Sequence, residues 1–233
     1  MVQKPTAKRG RPRAYDPDTA LARAMGVFWD QGYAATSLDD ISAATGMNRP
    51  SLYGAFGDKH TLYRETIERY RAGARAAMTA ALAEDRPLAE GLERVYQTAL
   101  SYYFPEGGTP RGCFMIGTAV TEAVRDDAVR TALAAGLVEI DRAFETRMRL
   151  ARERGELPRG ADPVQLARLA SAVLYFLAVR SRAGDKRAAL EATVRVGIAL
   201  ICGPPPRGRR RAADALISSS TARARASRRS GRR

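Results

Sequence analysis

The side chains that most often perform catalytic chemistry are scarce in this sequence. His60 is the only histidine, and Cys113 and Cys202 are the only cysteines among 233 residues. No group of Cys, His and Asp has the spacing of a metal site, and histidine-dependent catalysis has little support. The sequence therefore predicts a protein that is not an enzyme and that uses no metal or cofactor. Two isolated cysteines also argue against a disulfide framework and fit a reducing compartment.

Cys113 admits two interpretations. A thiol beside Arg111 at a helix N-terminus can have a lowered pKa, and it can then sense electrophiles or oxidants. The same predicted helix, however, places Ile116, Val120 and Val124 on the face of the thiol, and this pattern is typical of an inert, packed cysteine. Packing is the favoured interpretation of Cys113, and a thiol-based repressor remains the alternative.

The positive charge of the chain is concentrated at its two ends. Residues 1–13 carry a net charge of +5 and residues 204–233 a net charge of +9, so that the segment between them is neutral. Two cationic arms on a neutral body favour nucleic acid as the partner. The segment after Gly203 has Ser and Arg bias with few large apolar residues, and it is predicted to be disordered.

Nothing in the sequence predicts a membrane or export role. The basic start of the chain lacks the apolar stretch of a secretory signal. No run approaches the roughly 18 uncharged apolar residues of a membrane helix. We therefore expect a cytoplasmic protein.

Apolar residues recur at helical spacing almost throughout, which predicts an all-α fold. Asp16-Pro17 and Asp162-Pro163 each place a capping side chain before a proline, and these pairs mark two helix starts. The predicted helices are 17–31, 38–45, 49–55, 59–84, 88–104, 112–123, 126–154, 163–183 and 186–202.

Residues 36–63 have the pattern of a helix-turn-helix. Ser37 can cap a short helix, with Asp40 three residues later as in a capping box, and Gly46 can end it in a left-handed turn. Asn48 can cap the second helix. Two short helices joined by a tight glycine turn form this motif.

The apolar residues of the motif predict which side of it is buried. Ile41, Met47 and Leu52 are spaced to face inward between the two helices and against the first helix of the chain. The polar and small residues of the second helix are then left pointing outward.

This stretch resembles the DNA-binding domain of the TetR (tetracycline-repressor) family over residues 16–63. Ser42 and Thr45 depart from the family pattern at positions where alanine is common, and both remain compact. The residues that carry the resemblance are Phe28, Gly32-Tyr33, Thr36-Ser37, Gly46, Leu52-Tyr53, Phe56 and Lys59.

The resemblance implies roles for individual side chains. Arg49 can pair with a guanine edge and Asn48 can read adenine. The alternatives are that Asn48 only caps, that Arg49 is only a solvated charge and that Tyr53 only fills the core. The side chains that the resemblance places in the major groove are those of Asn48, Arg49, Pro50, Ser51 and Ala55. Those that it places on phosphates are Thr36, Ser37, Tyr53 and Lys59.

The N-terminal arm contains a second candidate DNA contact. Arg9-Gly10-Arg11-Pro12 resembles the core of an AT-hook, in which Arg9 and Arg11 would enter an A·T-rich minor groove. The alternative is a flexible cationic tail that adds only nonspecific affinity. If such tails drove all binding, the protein would be a nonspecific nucleoid or RNA-binding protein.

Helix 163–183 is apolar nearly all round and must be covered on both sides. The resemblance implies that it forms a four-helix bundle with helix 186–202 and their two partner copies, across a two-fold axis. The predicted homodimer contacts are Leu174, Leu190, Val194, Ile198 and Ile201.

The resemblance also implies a small-molecule effector that releases the repressor from double-stranded operator DNA. Aromatic and soft side chains suit the wall of such a pocket. The candidate pocket residues are Tyr96, Tyr102, Tyr103, Cys113, Phe114, Glu122, Tyr175 and Phe176. The predicted organisation is an arm at 1–15, a DNA-binding domain at 16–63, an effector and dimerisation domain at 64–203, and a tail at 204–233.

Overall fold

The computed structural model describes residues 15–203, and all the regular structure in that range is helical. The predictions for the basic arm, including Arg9 and Arg11, and for the tail at 204–233 lie outside the described residues. The elements are α1 Pro17–Gln31, α2 Leu38–Thr45, α3 Arg49–Phe56, α4 Lys59–Ala81, α5 Leu88–Tyr103, a π-helix Met115–Ala119 that continues into α6 Val120–Glu122, α7 Asp127–Glu153, α8 Pro163–Arg182 and α9 Arg187–Cys202.

The predicted all-α fold is confirmed, and the helix starts follow the predicted capping residues. Asp16 accepts a hydrogen bond from the Thr19 backbone N–H at the start of α1. Ser37 and Asp40 form the reciprocal capping box of α2, which satisfies donors that the first turn of a helix leaves unpaired. Gly46 ends α2 in the left-handed conformation, with φ of 72°.

The predicted helix at 112–123 is wrong in its form. Its first residues are not helical, and Met115–Ala119 is wound as a π-helix. Gly112 has φ of +65°, a backbone conformation that glycine tolerates best. At Gly117, an added Cβ would lie 2.7 Å from Nη1 of Arg182. The segment is therefore shaped by the approach of α8, a tertiary contact that local periodicity does not reveal.

The buried side chains form two clusters. One lies among α1 to α4, the π-helix segment and the start of α7, and includes Phe114, Met115 and Val129. The other lies among α4, α5, α7, α8 and α9. The predicted boundary between residues 63 and 64 falls inside α4, so this helix contributes to both clusters.

Helix α8 runs through the second cluster. It is the one helix in residues 15–203 whose length and composition would suit a membrane crossing. One side of it, with Ala167, Ala170 and Leu177, is buried against the rest of the chain. An apolar helix packed in this way is what a protein core requires.

Candidate DNA-binding surface and ligand cavity

The packing of α2 and α3 presents one face of α3 to solvent. Ile41, Met47 and Leu52 are at most 5% exposed, as their spacing predicted. Tyr53 is 51% exposed, so it is not a core residue. The outward residues of α3 are Arg49, Pro50, Ser51, Tyr53 and Gly54, with Ala55 half-buried beside them.

Asn48 is the N-cap of α3 and is exposed. Its Oδ1 accepts a hydrogen bond from the Ser51 backbone N–H at 2.9 Å. This bond leaves the side-chain amide N–H₂ of Asn48 as a donor that points away from the cap. Capping and base reading are therefore compatible at this position.

Arg49 is paired within the protein. Its Nε and Nη2 donate to the two carboxylate oxygens of Asp39 in α2, at 2.8 and 2.6 Å. Both side chains are more than half exposed, and such surface pairs separate readily when a better partner arrives. A guanine edge offers Arg49 the same bidentate geometry as the carboxylate.

The predicted phosphate contact of the Thr36 side chain does not fit the burial of that side chain. Its side chain is 2% exposed, and its hydroxyl donates to the Gly32 carbonyl at 2.6 Å. Lys59 donates to the Thr36 carbonyl at 2.6 Å and lies 4.4 Å from the centre of the Tyr33 ring. Ser37 is exposed, with its hydroxyl in the capping box. In the free protein, Thr36 and Lys59 thus fasten the start of α4 to the α1–α2 loop.

The predicted dimer contacts are mostly core residues of their own chain. Leu190, Val194 and Ile201 are at most 1% exposed and Leu174 is 7% exposed, because they pack into the core of their own chain. Ile198 is partly buried against the same core. Apolar spacing identified a buried face of α9, but it could not tell a core face from a subunit interface.

A different apolar face is exposed on α8 and α9. The two helices approach closely where Gly197 meets Val173; an added Cβ there would lie 3.1 Å from a Val173 methyl group. Large apolar side chains are exposed on both helices, and the most exposed is Leu200 at 67%. They are Leu169, Phe176, Val179, Val196 and Leu200; we call them the α8–α9 face.

A cavity of about 130 Å³ lies among α4, α5, the π-helix, α7 and α8. Of the predicted pocket residues, Tyr102, Tyr103, Cys113 and Tyr175 line it. Sequence reasoning missed the contributions of α4 and α7, whose patterns are those of ordinary amphipathic helices. The missed lining residues include Tyr70, Arg71, Met78, Gly136, Glu139 and Ile140.

The other four predicted pocket residues lie elsewhere. Tyr96 is fully buried, and its hydroxyl donates to the Ala170 carbonyl at 3.1 Å. Phe114 is also fully buried and packs among the rings of the DNA-binding module. Glu122 lies in α6, away from the cavity lining. Phe176 is 44% exposed on the α8–α9 face.

Cys113 is buried in the wall of the cavity. Its Sγ is 3.2 Å from the Tyr70 hydroxyl. Burial raises the pKa of the Cys113 thiol, opposite to the lowered pKa considered for a reactive cysteine. Burial also raises the pKa of Tyr70 and of Tyr103 well above the ordinary value. The thiol and these two phenols are consequently uncharged at physiological pH.

Trp29 of α1 connects the DNA-binding module to the cavity wall. Its ring stands edge-on to Tyr70, with centroids 5.2 Å apart, and its Nε1 donates to the Gly112 carbonyl at 3.0 Å. The Arg111 guanidinium lies 3.9 Å from the centre of the same ring. Arg182 of α8 donates to the carbonyls of both Trp29 and Arg111.

Two further contacts join α4 to the C-terminal part of the chain. The His60 side chain is hydrogen-bonded to the carboxylate of Asp126, the N-cap of α7. The Tyr63 hydroxyl donates to Thr118 of the π-helix at 2.9 Å. The start of α4 is therefore held by the helix-turn-helix on one side and by the π-helix and α7 on the other. Within residues 15–203, no group of three or more His, Cys, Asp or Glu side chains could hold a metal ion.

The sequence of this chain is similar to that of known proteins. Residues 20–66 match the family model of bacterial regulatory proteins of the tetR family, and residues 88–196 match that of the tetracyclin repressor-like C-terminal domain. The transcriptional repressor ComR of Escherichia coli is 32% identical over 176 residues, which cover 76% of this chain and 84% of ComR. The repressor BdcR of the same organism is 32% identical over 116 residues, covering 50% of this chain and 58% of BdcR.

A solved structure adds the DNA complex. A cysteine mutant of the TetR family regulator CifR, complexed with 26-bp double-strand operator DNA, is 34% identical. It superposes with a TM-score of 0.74 over 82% of this chain and all of that chain. The chain belongs to the TetR family and is a sequence-specific DNA-binding transcriptional regulator.

Proposed function

We propose that this protein is a homodimeric repressor that leaves its operator when a small molecule enters the cavity among α4, α5, α7 and α8. The observation that carries the proposal is that α4 contacts both the helix-turn-helix and the cavity. Its first turn carries Lys59, which fastens the helix-turn-helix, and its middle carries Tyr70, which lines the cavity. A ligand that displaces Tyr70 therefore acts on the helix that supports α3.

The DNA surface in this proposal is the outward face of α3 with the helix starts beside it. Arg49 exchanges Asp39 for a guanine edge, and Asn48 reads a neighbouring base with its free amide. Pro50, Ser51 and the half-buried Ala55 contact base edges or the thymine methyl group. The phosphate contacts are the Tyr53 hydroxyl and the Ser37 helix start, where backbone N–H groups attract anions.

The dimer contact in this proposal is the α8–α9 face. Contiguous exposed apolar side chains on a folded chain mark an interaction surface. A second copy covers them by two-fold symmetry, since both copies offer the same patch. Two-fold symmetry also places two α3 helices on half-sites about 34 Å apart, one turn of DNA. We infer that the protein acts in the cytoplasm, where such operators are found.

Sequencing the genomic fragments that the purified protein retains tests the repressor proposal. The expected result is a small set of fragments that share an inverted repeat with half-sites about 10 bp apart. Deleting the gene should then raise transcription next to those sites. Retention of fragments without a shared repeat would contradict dimeric operator binding, and lowered transcription would contradict repression.

A further inference from the structure

The cavity is small and mostly apolar. A dry engineered cavity of about 150 Å³ accepts benzene, and the cavity here, at about 130 Å³, has a similar capacity. It also reaches the surface, because Tyr102 and Arg75 line it and are at least half exposed. A single aromatic ring fits inside, and a short substituent can extend to the mouth.

Two buried hydrogen-bond donors on the cavity wall lack partners. Among residues 15–203, no group meets hydrogen-bond geometry with the Tyr175 hydroxyl or with Nε of Arg71. Burial raises the pKa of Tyr175, and the Ser171 hydroxyl, one turn away on α8, partly opposes this shift, but Ser171 donates its own proton to Asp141. Buried donors without partners are uncommon in folded proteins. An acceptor atom on a bound molecule would satisfy one of them.

The arginine side chains of the cavity wall are paired with carboxylates. Nη1 of Arg71 donates to Glu68 and Nη2 donates to Glu139, each at 2.7 Å. Arg75 lies 3.6 Å from the same Glu139 carboxylate. An anionic ligand would compete with two carboxylates for these arginines. Glu139, the only carboxylate that residues 15–203 contribute to the wall, is already paired. A net charge on the ligand is therefore disfavoured for either sign.

We infer that the cavity binds a neutral, monocyclic aromatic molecule whose oxygen acceptor takes the hydrogen bond of Tyr175. That this molecule is the effector rests on the proposed function, whereas its binding to the cavity does not. The ring would lie against Met78, Ile140 and the wall around Cys113, and the acceptor would face α8. Hydrocarbons of the same shape leave Tyr175 unpaired, and charged analogues lose hydration that the balanced site does not replace.

Binding can be measured without DNA, on the full chain. Acetophenone, ethylbenzene and benzoate share a ring and differ in having an acceptor, none, or a charge. Calorimetry gives the affinities, and the fluorescence of Trp29, the only tryptophan, reports on the Tyr70 side of the wall. One neutral hydrogen bond predicts that acetophenone binds roughly five- to tenfold more tightly than ethylbenzene. Benzoate should bind more weakly than either.

Two variants locate the binding site, and a third is the control. Tyr175→Phe should reduce the affinity for acetophenone to that for ethylbenzene, whereas Tyr102→Phe, the same change at the exposed mouth, should leave the preference intact. Ala99→Leu should fill the cavity and abolish binding of all three compounds, with a melting temperature near that of the wild type. Undiminished preference in Tyr175→Phe, or undiminished binding in Ala99→Leu, overturns the inference.

The outcomes also separate this inference from the proposed function. Acetophenone binding without operator release supports the inference and counts against effector control by this cavity. Operator release by benzoate, without acetophenone binding, supports effector control and overturns the inference. Equal affinity for acetophenone and ethylbenzene, or no binding of any of the three compounds, overturns it as well.

Discussion

Arg49 of α3 forms a bidentate ion pair with Asp39 of α2, at 2.8 and 2.6 Å. The pair holds the guanidinium on the exposed side of α3. If Arg49 reads a base as proposed, DNA must first displace the Asp39 carboxylate. We therefore expect both residues to affect affinity and selectivity.

Replacing Arg49 should affect the operator more than random DNA. Arg49→Ala removes one bidentate base contact and should weaken operator binding roughly five- to a hundredfold, with relaxed selectivity at one base pair per half-site. Asp39→Asn removes the competing carboxylate and should strengthen binding to both DNAs. Fluorescence anisotropy with operator and scrambled duplexes measures both effects. The control is Arg94→Ala, which breaks a surface pair with Glu90 on α5 and should leave binding to both duplexes unchanged. Equal losses of affinity on the two duplexes in Arg49→Ala would exclude base reading by Arg49.

A charge on the α8–α9 face should dissociate the dimer without unfolding the chain. Val196→Glu buries an unpaired carboxylate in the interface, at a cost of about 3–5 kcal/mol. Sedimentation should show a monomer, and operator affinity should fall because one half-site is lost. Val124→Glu, on α6's exposed exit, should remain a dimer. A Val196→Glu protein that sediments as the wild type does would show that the contact lies elsewhere.

Val194 provides the complementary test on the same helix. Val194 is fully buried in its own chain, so Val194→Glu should lower the melting temperature and the helical circular dichroism signal. Val196→Glu should preserve both. The same behaviour in the two variants would contradict the assignment of one face to the core and the other to the interface.

Gly112 is predicted to be irreplaceable for two separable reasons. An added Cβ would lie 2.3 Å from the Ala178 carbonyl oxygen, and φ is +65°. Gly107 has φ of +67° with open space around it. Gly107→Ala should therefore cost only the conformational penalty of about 1–2 kcal/mol, and Gly112→Ala should cost distinctly more. Urea unfolding of both variants measures the difference, and equal losses would remove the role of the close α8 contact.

Acid should weaken the fold through its helix caps. A backbone hydrogen bond from Thr61 lowers the pKa of Asp58, and one from Val129 lowers the pKa of Asp126. An Asp whose pKa is lower in the folded state than in the unfolded state contributes stability above the unfolded pKa of about 3.9. This contribution is lost as the pH falls through the folded-state pKa. Asp58→Asn should therefore differ from wild type at pH 7 and approach it at pH 3. Urea unfolding at both pH values tests this, with Asp85→Asn as the control; a constant difference would contradict the linkage.

The basic ends should set the salt dependence of DNA binding. Residues 204–233 carry a net +9, and each phosphate that they neutralise adds about 0.9 to the slope of log affinity against log salt. Deleting them should flatten the slope on every sequence. Deleting residues 1–13 should also weaken binding to duplexes with A·T-rich flanks more than binding to duplexes with G·C-rich flanks, if Arg9 and Arg11 enter the minor groove. Unchanged slopes would mean that these ends do not touch DNA.

The helix-turn-helix was predictable because its signals are local. Ser37, Gly46 and Asn48 each act on backbone groups within three or four residues of themselves, and caps of this kind leave a mark in the sequence. The inward positions of Ile41 and Leu52 followed from helical spacing alone.

The cavity and the α8–α9 face were not predictable in the same way. Helix α8 is apolar on most sides, so periodicity could not decide that Leu174 faces the core while Phe176 faces solvent. The π-helix depends on Arg182 lying against Gly117, a contact between residues 65 positions apart in the chain. Thr36 matched the family pattern, but its burial depends on the packing of the loop around Gly32.

Helix α4 also has the geometry of a lever. At 1.5 Å per residue, Tyr70 lies about 16 Å from Lys59 along its axis. A tilt of about 4° around the level of Tyr70 would move the first turn sideways by about 1 Å. Hydrogen bonds to base edges tolerate little more than that. In the proposed dimer, a rearrangement at the cavity too small to unfold any helix would thus be sufficient to misalign both α3 helices with their half-sites.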